Sequence, residues 1–84
     1  MNKYLFITTR TENFDPEQIP AHYEYLNRLK KENRLEMYGP FSDASGGAYL
    51  IRAGSLEEAK RIGHADPIIK TGSSTIVVKE WMTK

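Results

Sequence analysis

The sequence predicts an α+β domain of the ferredoxin-like βαββαβ kind, a four-stranded antiparallel sheet with two helices on one face. Three observations lead there. Four short runs are rich in β-branched and aromatic residues. Two longer segments carry apolar residues at helical spacing behind residues that cap helices. Clusters of Gly, Pro, Asp and Ser punctuate the chain between them.

The first strand is Lys3-Tyr4-Leu5-Phe6-Ile7-Thr8-Thr9. Asp15-Pro16 then breaks the chain, with Asp15 and Gln18 at capping-box spacing. Pro20 cannot sit deep inside a helix, so the main helix is expected to begin near it and run to about Asn33. Ile19, Tyr23, Leu26 and Leu29 form its apolar stripe. Leu35 to Tyr38 is the second strand, stopped at Gly39-Pro40, and Ala48 to Arg52 the third, across a Ser42–Gly47 turn. Ser55-Leu56-Glu57-Glu58 is a capping box, and Leu56, Ala59 and Ile62 or Gly63 give the second helix its buried face. Asp66-Pro67 opens a further short turn ended by Gly72, and Ser74 to Trp81 is the last strand.

Two helices cover one face of a four-stranded sheet, yet the strands are apolar on both. Tyr4 and Phe6 alternate with Leu5 and Ile7, as Ile76 and Val78 do with Val77 and Trp81. Strands of that kind need cover on both sides, and a second copy of the sheet supplies it most simply. A homodimer with sheets packed face to face is therefore expected, against the alternative of a monomer with a partly wet sheet.

Length and charge narrow the function. Eighty-four residues hold a single domain, residues 1–84, with a thin core. Twelve Lys and Arg against eleven Asp and Glu leave +1, without the basic patch that nucleic acid or an anionic membrane surface requires. The absence of cysteine removes disulfides, thiolate catalysis and cysteine-ligated metals. No apolar run approaches the ~20 residues of a membrane span, and no secretory leader is read, so the cytoplasm is the expected location.

Two residues stand out chemically. His22 lies within the stripe of the first helix and in its first turn, where the helix dipole disfavours imidazolium. Its plainer explanation is a half-buried histidine bonded to backbone. Asp66 before Pro67 is a helix cap; its functional explanation is to orient His22. His64, two residues before Asp66, lacks the spacing of a metal site and is expected to be exposed. No phosphate-binding glycine motif and no G-x-S-x-G is present. Tyr23, Tyr25, Tyr38, Tyr49 and Trp81 serve either an aromatic pocket or the core and interfaces.

In order and spacing, His22-x-x-Tyr25-Leu26-x-x-Leu29, Arg34-Leu35, Gly39-Pro40-Phe41, Gly46-Gly47, Ser55-Leu56-Glu57-Glu58-Ala59, Asp66-Pro67, Gly72 and Trp81 resemble the YCII-related (YciI-like) family. The resemblance runs from Tyr4 to Trp81. It implies a dimeric α+β barrel similar to muconolactone isomerase, and a cleft in which His22 and Asp66 are the catalytic pair. Tyr25, Gly39, Pro40 and Phe41 are the substrate-binding candidates it brings with it. With no metal or cofactor motif in the chain, the chemistry expected is cofactor-free: a lyase or isomerase acting by acid–base chemistry on a small carbonyl compound or carboxylic acid, aromatic-derived ones included. A short Phe41–Gly47 loop and Ile68-Ile69 after Asp-Pro depart from the family pattern and alter the cleft. The competing expectations are a non-catalytic dimer that binds a small metabolite and a purely structural dimerisation module.

Overall fold

The computed structural model describes all 84 residues, Met1–Lys84. Its sheet is built from β1 (Asn2–Arg10), β2 (Leu35–Pro40), β3 (Gly46–Ala53) and β4 (Ser74–Glu80). The order across it is β2-β3-β1-β4, antiparallel throughout. This is the ferredoxin-like arrangement that the element order predicts. Helices α1 (Ile19–Lys31) and α2 (Leu56–His64) pack on one face, and a single turn, α3 (Pro67–Lys70), links α2 to β4.

Alternation along the strands decides what is buried. Tyr4, Phe6, Tyr49, Ile51 and Ala53 point to the helices and meet Leu26 and Leu29 of α1 and Ala59 of α2. Phe6 and Tyr49 are the centre of this layer, their rings 4.9 Å apart. α2 approaches closely because it offers small residues, Ala59 and Gly63, to the sheet. Leu56, expected on that buried face, is 41% exposed. It occupies the first position of α2, directly after the Ser55 cap, where the chain has just left β3.

Element ends differ from expectation for identifiable reasons. Asp15 caps a 3-10 turn over Pro16–Gln18 by accepting from the Glu17 N–H, so α1 begins afresh at Ile19. α1 stops at Lys31 rather than Asn33, because Asn33 takes φ 64°. Its N–H then bonds the Lys30 carbonyl, and the Arg34 N–H that of Leu29, a Schellman closure. Gly39-Pro40 continues β2 instead of ending it. β2 is an edge strand, where a proline without an N–H is tolerated. The β2–β3 register shifts at a bulge between Leu35 and Met37.

Candidate active site

Asp66 is the buried hub. It stands between α2 and α3 as the cap of α3, and its Oδ1 accepts from the Ile68 N–H at 3.1 Å. The cap accounts for one lone pair only. The Tyr49 hydroxyl donates to Oδ2 at 2.9 Å, and His22 Nδ1 lies 2.9 Å from Oδ1 and 2.7 Å from Oδ2. Asp66 is wholly buried and the His22 side chain only 12% exposed. A carboxylate so enclosed is tolerable because every side of it meets a donor.

Each partner is delivered by its element. Pro20 at the start of α1 puts His22 in the first turn, on the side facing α3. The alternation of β3 turns Tyr49 inward beneath it. Burial, and then the neighbouring Asp66 charge, push the Tyr49 phenol far above its ordinary value, so it acts as a donor only. With Asp66 accepting, the His22 proton sits on Nδ1. Nε2 has no hydrogen-bond partner in the chain and is not sealed from solvent.

His22 forms part of the wall of a cleft of about 40 Å³. Its buried side is Thr8, Gly47 and Tyr49, and its exposed rim Tyr23, Tyr38 and Pro40. The Thr8 hydroxyl donates to the Gly47 carbonyl and accepts from the Gly47 N–H, which pins the start of β3 at the cleft floor. A side chain at Gly47 would lie 2.6 Å from the Gly39 carbonyl, and one at Gly46, where φ is 153°, would overlap Thr8. The Gly-Gly pair is thus what lets strands close around an open cleft.

The expected residues distribute unevenly. His22 and Asp66 are brought together, and Gly39 and Pro40 line the cleft. Tyr25 is turned away: its hydroxyl donates to the Ile62 carbonyl at 2.7 Å and its ring lies under Arg28, between α1 and α2. Phe41 lies on the other face of the sheet, in an apolar hollow of about 270 Å³ with Leu5, Met37, Leu50 and Trp81. Neither touches the His22 cleft. His64 is exposed at the end of α2 and takes no part in the pair. Arg10 is a lining residue that sequence reasoning passed over, and Tyr49, weighed there only as a pocket or core aromatic, proves to be a hydrogen-bond partner of Asp66. A tyrosine on the inward side of a core strand must find a hydroxyl partner. Period-two alternation from Tyr4, Phe6 and Thr8 puts Arg10 on the helix side of β1.

The fold resembles that of 5-chloro-2-hydroxyhydroquinone dehydrochlorinase (TftG) from Burkholderia phenoliruptrix AC1100, solved in complex with 2,5-dihydroxybenzoquinone. The TM-score is 0.82 at 21% identity, over 98% of this chain and 95% of that one. In sequence the chain is 58% identical to the uncharacterised protein YjpA of Bacillus subtilis (strain 168), across 100% of this chain and 99% of that protein. The family model for the YCII-related domain matches residues 2–82, nearly everything from the first strand to the last aromatic. With the sheet order and the sequence spacing in agreement, this chain belongs to the YCII-related family.

Proposed function

We propose that this protein is a small cofactor-independent enzyme that moves protons on a small carbonyl compound or carboxylic acid, by isomerisation or elimination. His22 is its base and Asp66 the residue that positions it. The observation that carries this is the anchoring of His22 Nδ1 on a wholly buried carboxylate, with Nε2 left free at a cleft. Nε2 takes a proton from the carbon beside the substrate carbonyl. In isomerisation the proton returns at another carbon; in elimination the electron pair left behind expels a neighbouring leaving group. Asp66 stabilises the imidazolium formed between the two steps.

The solved neighbour is named as a dehydrochlorinase, which supports elimination as a chemistry this fold can host, by analogy of fold alone. The same reading takes the working form to be a homodimer paired through the open sheet face, in the cytoplasm. No helix is long and apolar enough to cross a membrane.

The test is a turnover screen on ring-derived acids, lactones and halogenated phenolic acids. His22→Ala should lower kcat by about 10² to 10⁴ while the fold, read by circular dichroism, persists. Unchanged turnover in that variant ends the acid–base reading. Thermal stabilisation by a compound that is never converted would favour the non-catalytic metabolite-binding dimer instead.

A further inference from the structure

We propose that Arg10, helped by Ser74, is the anion-recognising element of the His22 cleft, so that the ligand is a small molecule carrying a carboxylate. This rests on the acid–base reading above and adds the substrate class to it. Arg10 is the last residue of β1, and its side chain lines the cleft beyond Thr8. Its guanidinium lies over the Phe14 ring, 4.1 Å from the centroid. Stacking of that kind fixes the plane of the group and leaves its N–H edge free for a bidentate partner.

No such partner exists in the chain. Arg34 and Arg52 are occupied by Glu58 and Glu36, whereas Arg10 has neither a side-chain hydrogen bond nor a carboxylate within ion-pair distance. Ser74, opposite Arg10 in the β1–β4 pairing, is only 4% exposed and also lines the cleft. Its hydroxyl has no partner in the chain, yet it is not a sealed, unsatisfied atom, which leaves it open to a ligand. A nearly buried hydroxyl and a stacked, unpaired guanidinium on neighbouring strands form a ready carboxylate clamp.

The rest of the lining agrees. No Asp or Glu faces the cleft to repel an anion, since Asp66 lies beneath its surface, covered by His22 and Tyr49. The cleft's volume of about 40 Å³ is well below the roughly 150 Å³ of a cavity that admits benzene. It accepts a substituent, not a ring. A ring would rest on the rim, where the Tyr23 and Tyr38 rings stand 6.2 Å apart.

Benzoate and its neutral isostere benzamide are the probes, titrated by NMR into the full chain. Benzoate should shift the Arg10 Nε–H and the His22 ring together and saturably. Arg10→Met, which keeps the stem over Phe14, should weaken benzoate about tenfold or more, and Ser74→Ala about threefold. Benzamide should bind weakly and respond little to Arg10→Met. Equal benzoate affinity in Arg10→Met, no saturable shift at Arg10 in the wild type, or a shift at Arg10 that leaves His22 untouched each overturns the clamp. Failure of the acid–base reading looks different. There, turnover would survive His22→Ala while benzoate binding still depended on Arg10.

Discussion

At the scale of the residue, Asp66 combines two jobs that sequence treats as rivals. It is a helix cap and the partner of His22 at once, because a carboxylate has lone pairs enough for both. The cap was legible from Asp-Pro alone; the pairing was expected only through the family resemblance. Forty-four positions separate the two residues, and only the return of the chain through β2, β3 and α2 closes that distance. The substitutions should therefore separate. Asp66→Ala strands the Tyr49 hydroxyl and removes the cap, and should cost about 3 kcal/mol in chemical denaturation. Asp66→Asn keeps the shape and should cost less, but it should disturb the His22 tautomer. Long-range proton–nitrogen NMR should show a pure Nδ1–H form in the wild type and a mixture in Asp66→Asn. A pure Nδ1–H form in both would mean that the carboxylate does not set the ring.

Tyr49 gives the corresponding pH prediction. Its phenol is held neutral in the folded protein by burial and by Asp66, whereas in the unfolded chain it ionises near its ordinary value of 10.0. A folded-state value raised above the unfolded one contributes stability that is complete below about pH 10 and declines above it. Tyr25, raised mainly by burial, adds to the same slope. Stability should thus fall steeply in alkali, with the Tyr49 tyrosinate forming only as the protein unfolds. Tyr49→Phe should flatten that slope. A tyrosinate signal that titrates smoothly in the folded state for all five tyrosines would contradict the burial argument.

At the scale of the element, the strands and helices were readable from period and punctuation, and the errors lie where backbone geometry overrode composition. Gly39-Pro40 looks like a stop, but an edge strand leaves the proline nothing to break. Asn33 looks helical, but Asn is among the residues that tolerate the left-handed closure. Tyr23 falls in the apolar stripe of α1 yet ends 36% exposed, because it stands at the mouth of the cleft, across from Tyr38 of β2. Ala44, in the β2–β3 turn, also has φ 63°, a conformation that costs a side-chain-bearing residue about 1 kcal/mol or more. Ala44→Gly should raise stability by up to about 1 kcal/mol, after the entropy of a freer unfolded chain is subtracted. The reverse holds for Gly63. An alanine methyl there would sit 2.9 Å from Ile76 Cδ1 and 3.2 Å from Phe6 Cε2. Ile76 can move aside, but the fully buried Phe6 ring cannot. The gain in helix propensity is about 1 kcal/mol, and overpacking costs about 1 to 3. Gly63→Ala should therefore lower stability by about 1 kcal/mol; a rise would show that α2 is free to lift from the sheet.

At the scale of the whole molecule, the open sheet face is the feature that the fold leaves unresolved within one chain. Met37 is 62% exposed, Val77 51%, Trp81 47% and Phe41 40%, an amount of large apolar surface that water does not favour on a small protein. Lys3, Glu36 and Arg52 form an ion-pair cluster on this face beside Trp81, whose N–H bonds the Lys3 carbonyl, and the hydrogen bond from Arg52, then that from Lys3, holds the Glu36 carboxyl below its usual range. The apolar hollow on this face adjoins the cleft, since Tyr38, Gly39, Pro40, Ala48 and Tyr49 line both. A second copy seated there would bury the exposed residues and stiffen β2, the edge strand that forms one wall of the site. Sedimentation should accordingly give about twice the 9.6 kDa of the chain. Val77→Lys, on the open face and clear of both hollows, should shift the protein to monomer by placing two like charges across the twofold interface. If β2 depends on that contact, the monomeric variant should also bind benzoate more weakly although no cleft residue has changed. A monomeric wild type would show that the open face is covered by something else. A dimer unaffected by Val77→Lys would place the interface on another surface, most simply along the free edge of β2 or β4.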